Sequence, residues 1–245
     1  MKREYSRRYD KWFLTTVKQT MIRYSMIEAG DKLAIGISGG KDSNALLYIL
    51  SLVQKHAPFS FSMHAIFVEL GWDVETDSME ALCRNLGIPL HVERTRIAPI
   101  VFDYRKEKNP CSLCAKMRRG ALHRAAQKLG CNRVALGHHL DDAVQTLFLN
   151  LIFSGRLDTF KPYTYLDRRD LKLIRPLICI PEKTLASLCI LENLPLLHNP
   201  CPVAGETKRH EMGEIVDFIL SRYPRSYQRF ITALEKRGIW APPVL

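Results

Sequence analysis

The run Ser38-Gly39-Gly40-Lys41-Asp42-Ser43 places two glycines, two hydroxyls, an amine and a carboxylate in consecutive positions. That mixture suits the phosphates of a nucleotide. Gly39 and Gly40 can take positive φ and bring backbone close to an anion, the N–H groups opening a following helix point at it, and Lys41 adds positive charge. The order is not that of a Walker A loop, because Ile35 stands where the first glycine is needed and Asp42 where Ser or Thr is needed. An ordinary P-loop kinase or GTPase is thereby excluded. A glycine turn without a ligand explains Gly39 and Gly40 but leaves Ser38, Lys41, Asp42 and Ser43 beside them unexplained.

Two further clusters have chemistry in them. Gly137-His138-His139-Leu140-Asp141-Asp142 follows the apolar run Arg133 to Leu136, which puts it at the C-terminal end of a strand, where open α/β sheets bind ligands. Adjacent carboxylates entering a helix can hold magnesium or steer a reacting hydroxyl or amine. They also serve as helix caps, a role that one Asp suffices to fill and that fits Asp141 more readily than Asp142. Cys111 and Cys114 follow Pro110 at the start of a helix that also carries Lys116, Arg118 and Arg119, and Cys201 lies far downstream between Pro200 and Pro202, which stiffen its loop. Three thiolates leave one coordination position open. That incompleteness suits an iron-sulfur cluster with one free iron, zinc completed by His198, or a redox thiol pair made reactive by the helix start and Arg118 and Arg119. Cys83, Cys131, Cys179 and Cys189 fit the role of small buried hydrophobes.

The elements that must position these groups follow from hydrophobic period. Apolar, β-rich runs recur at Lys32 to Ile37, Ser62 to Val68, Ile88 to Val92, Arg133 to Leu136 and Leu171 to Leu177, separated by helical patterns over 42–54, 76–86, 112–129, 141–153 and 182–192. This alternation predicts an α/β fold, a five-stranded parallel sheet with helices on both faces. The stretch from Ser154 to Asp170 loses periodicity and reads as a loop over the site. Residues Tyr5 to Ile27 predict a basic amphipathic helix with Arg7, Arg8 and Lys11 on it, and the tail from Glu206 predicts two helices broken near Pro224. The expected organisation is an N-terminal helix over 1–28, an α/β domain over 29–200 and a helical tail over 201–245.

The chain has 245 residues, 47% of them hydrophobic and 25% charged, and a net charge of +11, which favours a polyanionic partner such as nucleic acid. No run reaches the length of a membrane span and the first ten residues are charged and polar, so a cytoplasmic protein without membrane association is expected. In that reducing setting the seven cysteines are not a disulfide framework.

The glycine run resembles the PP-loop of the ATP pyrophosphatases, enzymes that split ATP into AMP and pyrophosphate to activate a carbonyl oxygen. Read with Cys111-Ser112-Leu113-Cys114, Arg118-Arg119-Gly120, the Gly137 to Asp142 run, Gln145-Thr146-Leu147-Phe148-Leu149-Asn150, Ile174-Arg175-Pro176-Leu177 and Pro200-Cys201, it resembles the tRNA 2-thiocytidine synthetase family from Lys32 to Lys208. The resemblance implies an adenine nucleotide alpha hydrolase-like PP-loop domain, with Ser38, Gly39, Gly40, Lys41, Asp42 and Ser43 on the ATP phosphates and Gly137 beside the nucleotide. It implies a 4Fe-4S cluster held by Cys111, Cys114 and Cys201, with one open iron. In related RNA thiolases a lysine four residues after the second cysteine and an aspartate closing the second motif are implicated in catalysis. Arg118 and Asp142 stand there, and with Asp42 they are the expected catalytic residues. Arginine hardly titrates, which casts Arg118 as an electrostatic clamp. This chain has Ala204 where some members carry another cysteine, and it lacks the terminal CxxC pairs of the zinc-knuckle thiolases.

The activity implied is ATP- and Mg2+-dependent thiolation of tRNA. The C2 oxygen of the cytidine at position 32, in a base extruded from its loop, is adenylated and then replaced by sulfide carried on the cluster, the sulfur coming ultimately from a cysteine desulfurase. Phosphate tracking is assigned to the N-terminal helix, Arg118, Arg119 and the basic tail. The rivals are a lysidine-synthetase type of ligase with incidental cysteines and a non-catalytic RNA-binding or redox-sensing metalloprotein; whether the chain forms a homodimer stays open.

Overall fold

The computed structural model describes residues 7–106, 108–198, 200–203 and 208–243; Ala204 and the side chain of Arg7 lie outside the described residues. Short apolar runs pair as strands, buried on both faces at the centre of the sheet and half-buried at its edges. They are β1 (Lys32–Ile37), β2 (Ser62–Glu69), β3 (Leu90–Arg94), β4 (Arg133–Ala135), β5 (Tyr163–Leu166) and β6 (Leu171–Ile174), in the order β3-β2-β1-β4-β6-β5. All neighbours are parallel except β5 with β6. The sheet therefore has six strands where the sequence predicts five, with one antiparallel pair. The added strand lies inside the stretch expected to be a loop. It is only Tyr163–Leu166, partly exposed, and ends in the short 3₁₀ turn Asp167–Arg169. Four residues on a sheet edge carry too little alternation to register as a pattern, and the charged turn discourages further pairing of that edge.

The helices among the described residues are α1 (Arg7–Tyr9) and α2 (Thr15–Arg23), joined by a π-helical segment Asp10–Leu14, then α3 (Lys41–His56), α4 (Asp77–Leu86), α5 (Pro110–Lys128), α6 (Leu140–Ser154), α7 (Glu182–Leu191), α8 (Lys208–Arg222) and α9 (Ser226–Lys236). A second π segment spans Pro99–Tyr104. Strand residues alternate between two cores, as a pleated sheet requires. Leu33, Ile35, Ile37, Met63 and Phe67 face the larger core with α3, α4, α6 and α7. Ala34, Ile66, Val68 and Val134 face a smaller one built from Ala121, Leu122, Ala125 and Ala126 of α5 with Ile97 and Val101. The tail forms two helices that part around Pro224 as predicted, and both contribute to the larger core through Val216 and Leu234. No helix among the described residues is long and apolar enough to cross a membrane.

The chain moves outward from β1 through β2 to β3, then crosses back to place β4 on the other side of β1. The loops after β1 and β4 therefore diverge at a topological switch point, the crevice where open sheets bind ligands. Arg133, the first residue of β4 and level with Leu33 at the start of β1, anchors the opposite end of this strand pair. Its fully buried guanidinium pairs with Asp31, reaches Glu28 at 3.0 Å, and donates to the carbonyls of Ser25 at 3.0 Å and Met26 at 2.9 Å. Removing one partner of such a buried set leaves the other charge uncompensated. Arg133→Ala is expected to cost about 3–5 kcal/mol, read from the urea midpoint; a loss below about 1 kcal/mol would show that Asp31 finds water instead.

Candidate active site

β1 ends at Ile37 and α3 begins at Lys41, so Ser38, Gly39 and Gly40 alone make the turn. Gly39 sits at φ +78°, and a Cβ there would lie 2.6 Å from the Leu197 side chain, so both backbone hand and space require glycine. Gly40 is the extended N-cap of α3 and supplies no side-chain cap. The hydroxyls hold the turn from inside: Ser38 N–H donates to Ser43 Oγ at 3.1 Å, Ser43 Oγ donates to the Gly40 carbonyl at 2.9 Å, and Gly40 N–H donates to Ser38 Oγ at 3.3 Å. The result is a rigid helix start whose opening amides and positive dipole end suit an anion.

The loop after β4 meets this turn backbone to backbone. A Cβ on Gly137 would fall 3.0 Å from the Asp42 carbonyl oxygen and 3.2 Å from the Ser43 nitrogen. Beyond it, His139 caps α6 in a reciprocal box: His139 Nδ1 accepts the Asp142 N–H at 3.4 Å and the Asp142 carboxylate accepts the His139 N–H at 3.1 Å. The capping aspartate is thus Asp142, not Asp141 as its position suggested. Asp141 points elsewhere: it accepts the Glu182 N–H at 2.7 Å on Oδ2 and the Tyr227 hydroxyl on Oδ1.

Charge is dense here. Lys41 Nζ reaches Asp42 at 3.1 Å and Glu182 at 2.6 Å. Burial would lower its pKa, but hydrogen bonding to Glu182 and the charge of Asp42 prevail and raise it. His139 lies 3.3 Å from Asp142, 3.5 Å from Asp141 and 3.8 Å from Asp42. Burial pushes its pKa down, while Asp141, Asp142 and Asp42 together push it up and win. Asp42 is raised, chiefly by burial and against the pull of His139 and Lys41. Asp141 is lowered, because its donors His139, Tyr227 and the Glu182 amide outweigh the burial that would raise it. Asp42 Oδ1 is buried without a hydrogen-bond partner, an orphaned oxygen at the mouth of the glycine turn.

Arg175 closes one side of the second loop. Its Nε donates to His138 Nδ1 at 3.2 Å and its Nη1 to the Lys161 carbonyl at 2.6 Å, while its guanidinium lies 5.0 Å from the Phe160 ring centroid. Phe160 also stacks on His138 at 4.7 Å, and Trp240 of the tail donates to the Phe160 carbonyl at 3.1 Å. Burial first, then Arg119 of α5, lower Arg175 to about 10.

Cys111 and Cys114 occupy the first turn of α5, on one face at three-residue spacing. Cys201 comes from the segment after α7, and that segment is tied to the glycine turn: Leu197 N–H donates to the Gly39 carbonyl at 3.0 Å, and Asn44 Nδ2 to the Pro195 carbonyl at 2.5 Å. The three thiols share a neighbourhood. Burial raises the Cys114 thiol, Arg118 opposes it, and both Cys201 and Cys111 add to the rise. All three are free of disulfides. Among the described residues no group of three or more His, Cys, Asp or Glu side chains stands gathered for a metal ion, so the thiols adjoin one another without converging on a single ion. His198 is exposed on the same segment.

The PP-loop domain family matches residues 11–201. The chain is 33% identical over 223 residues to the tRNA-cytidine(32) 2-sulfurtransferase of Citrifermentans bemidjiense, covering 89% of this chain and 88% of that protein. It is 39% identical over 220 residues to the enzyme of the same name from Bordetella pertussis, covering 87% and 68%. The chain belongs to the tRNA 2-thiocytidine synthetase family of PP-loop enzymes. The U34-tRNA thiolase NcsA from Methanococcus maripaludis, solved with its 4Fe-4S cluster, is similar in structure, with a TM-score of 0.75 at 26% identity over 93% of this chain and 80% of that one.

Within this PP-loop site, three partners escape sequence reasoning. Glu182 could be read only as a helix start after Pro181, and Asn44 only as a helix residue. Tyr227 offers no signal, because its target lies 86 positions away. The meeting of the two loops yields a test. Gly137→Ala is expected to cost about 1–3 kcal/mol through overpacking against Asp42 and Ser43 backbone, seen as a lowered urea midpoint; an unchanged midpoint would mean the loops part freely.

Proposed function

We propose that this chain is an ATP-dependent tRNA sulfurtransferase that makes 2-thiocytidine at tRNA position 32. The observation that carries the reading is the tie of Pro195 and Leu197 to the glycine turn, the latter four residues before Cys201, with Cys111 and Cys201 both acting on Cys114. The curated relatives bear that name, and NcsA was solved with a cluster.

In this reading Ser38 to Ser43 hold the ATP phosphates through the turn and the amides opening α3. Lys41, already balanced by Asp42 and Glu182, exchanges one of them for a phosphate oxygen. The unpartnered Asp42 Oδ1 is an oxygen donor of the kind that Mg2+ prefers. Gly137 lets the nucleotide lie against backbone. Asp142 acts through its box with His139: the imidazole, held raised by three carboxylates, keeps Asp142 oriented as the cytidine C2 oxygen approaches the α-phosphate. Cys111, Cys114 and Cys201 would hold a 4Fe-4S cluster, which when bound supplies an open position for the incoming sulfur. Arg118 places a guanidinium charge beside Cys114 and stabilises negative charge arriving there. The base reaches the site by leaving its loop, and the sulfur originates with a cysteine desulfurase.

The test is a tRNA-dependent assay with ATP and Mg2+, following pyrophosphate release and 2-thiocytidine by mass spectrometry under anaerobic conditions. The wild type is expected to yield both, and Cys111→Ser to lose thiolated product by at least 100-fold while still binding tRNA. A ligase of the lysidine type would keep its turnover in Cys111→Ser; a pure RNA binder would release no pyrophosphate at all.

A further inference from the structure

Along α5, Arg119, His123 and Gln127 recur at four-residue spacing and share one face of the helix. Gln127 Nε2 donates to the Arg169 carbonyl at 2.9 Å, which docks the β5–β6 turn against that face. His123 lies beneath, only 4% exposed, and its Nε2 is buried without a hydrogen-bond partner. The groups that act on it are both cations. Burial first, then Arg169 and Arg119, lower the imidazole to about 4, so it is neutral at any working pH.

Neither Arg119 nor Arg169 has an ion pair among the described residues, nor do their neighbours Arg118 and Arg168. Arg119 and Arg169 both act on the buried ring, and two like charges gathered on one face without ion-pair partners repel one another. An anion relieves that repulsion. The N-terminal helix differs in this respect: Lys18 pairs with Asp10 at 3.3 Å, Arg23 with Glu235 at 2.9 Å, and Arg8 also has a partner. Much of its charge is compensated within the protein. The α5 face is also continuous with the active site, because Arg119 acts on Arg175, which donates to His138.

We infer that the Arg119–Gln127 face of α5 and the Arg168–Arg169 turn of the β5–β6 hairpin, packed over the buried His123, form a binding surface for RNA phosphodiesters, with Arg119 and Arg169 on neighbouring phosphates. The inference rests on the reading of the chain as a tRNA-modifying enzyme, and it moves the main phosphate-binding surface from the N-terminal helix to the hairpin that the sequence did not predict.

The test is fluorescence anisotropy with a labelled tRNA transcript across a salt series, comparing wild type, Arg119→Gln/Arg169→Gln and Lys11→Gln/Lys18→Gln. The α5–hairpin variant is expected to bind at least tenfold more weakly, and its slope of log K against log salt to flatten by about 0.7–0.9 for each phosphate that is no longer neutralised. Its melting temperature should match the wild type, since Arg119 is exposed and Arg169 partly so. Unchanged affinity and slope in a variant of wild-type stability overturns the surface and leaves the enzymatic reading standing. So does weaker binding with an unchanged slope, or an equal loss from the N-terminal variant. A wild type that releases pyrophosphate with tRNA but shows this surface silent separates the two claims; a wild type with no affinity for tRNA at any salt overturns both.

Discussion

One backbone hydrogen bond, from the Leu197 amide to the Gly39 carbonyl at 3.0 Å, couples the two halves of the chemistry. Gly39 adopts positive φ, and in that conformation its carbonyl turns toward the crossing segment while its missing Cβ makes room for Leu197. Asn44, one turn into α3, holds the same segment through the Pro195 carbonyl. A loop built for anions and a loop carrying a thiol are thus held together. Any side chain at position 39 would push the Cys201 segment away as well as spoil the turn.

Around this tie the charges are sorted by sign and by task. Asp141 spends both oxygens on donors, the Tyr227 hydroxyl and the Glu182 amide, and so works as a bracket between the second motif, α7 and the tail. Asp142 is committed to the His139 box. Of these three aspartates, Asp42 keeps a buried oxygen without a hydrogen-bond partner, which marks it as the carboxylate with capacity to spare. Positive charge gathers on α5, where Arg118 faces the thiols and Arg119 faces Arg175 and His123. The carboxylates and the guanidiniums of α5 thus lie on separate elements, and each field would weaken the other if they were mixed.

The parts legible in the sequence were those written in local pattern. Lys32 to Ile37, the glycine run and the helix after it form one continuous signal, and the structure places the turn between β1 and α3 where that signal puts it. The Gly137 to Asp142 run was equally readable as a strand-end loop. What escaped depends on distance or on brevity. Tyr163–Leu166 is too short to alternate visibly and gains its strand character only by pairing with Leu171–Ile174. The cap fell to Asp142 and not to Asp141 because capping geometry depends on which residue leaves the strand in extended conformation, and that residue is His139, whose ring can accept an amide as Asp or Ser would. The basic N-terminal helix looked like a free cationic face because its partners Asp10 and Glu235 are brought in partly by the π segment and partly by the far end of the chain.

The central claim is that three thiolates and a phosphate loop form one site with a coordination position left open. It is tested most directly by iron-edge anomalous diffraction from crystals grown anaerobically with a non-hydrolysable ATP analogue. The account predicts a four-iron peak bounded by Cys111, Cys114 and Cys201, with the iron that lacks a cysteine turned toward the α-phosphate held above Gly39 and Gly40. Zinc alone at those cysteines, or a cluster whose fourth iron is ligated by the protein, would contradict it.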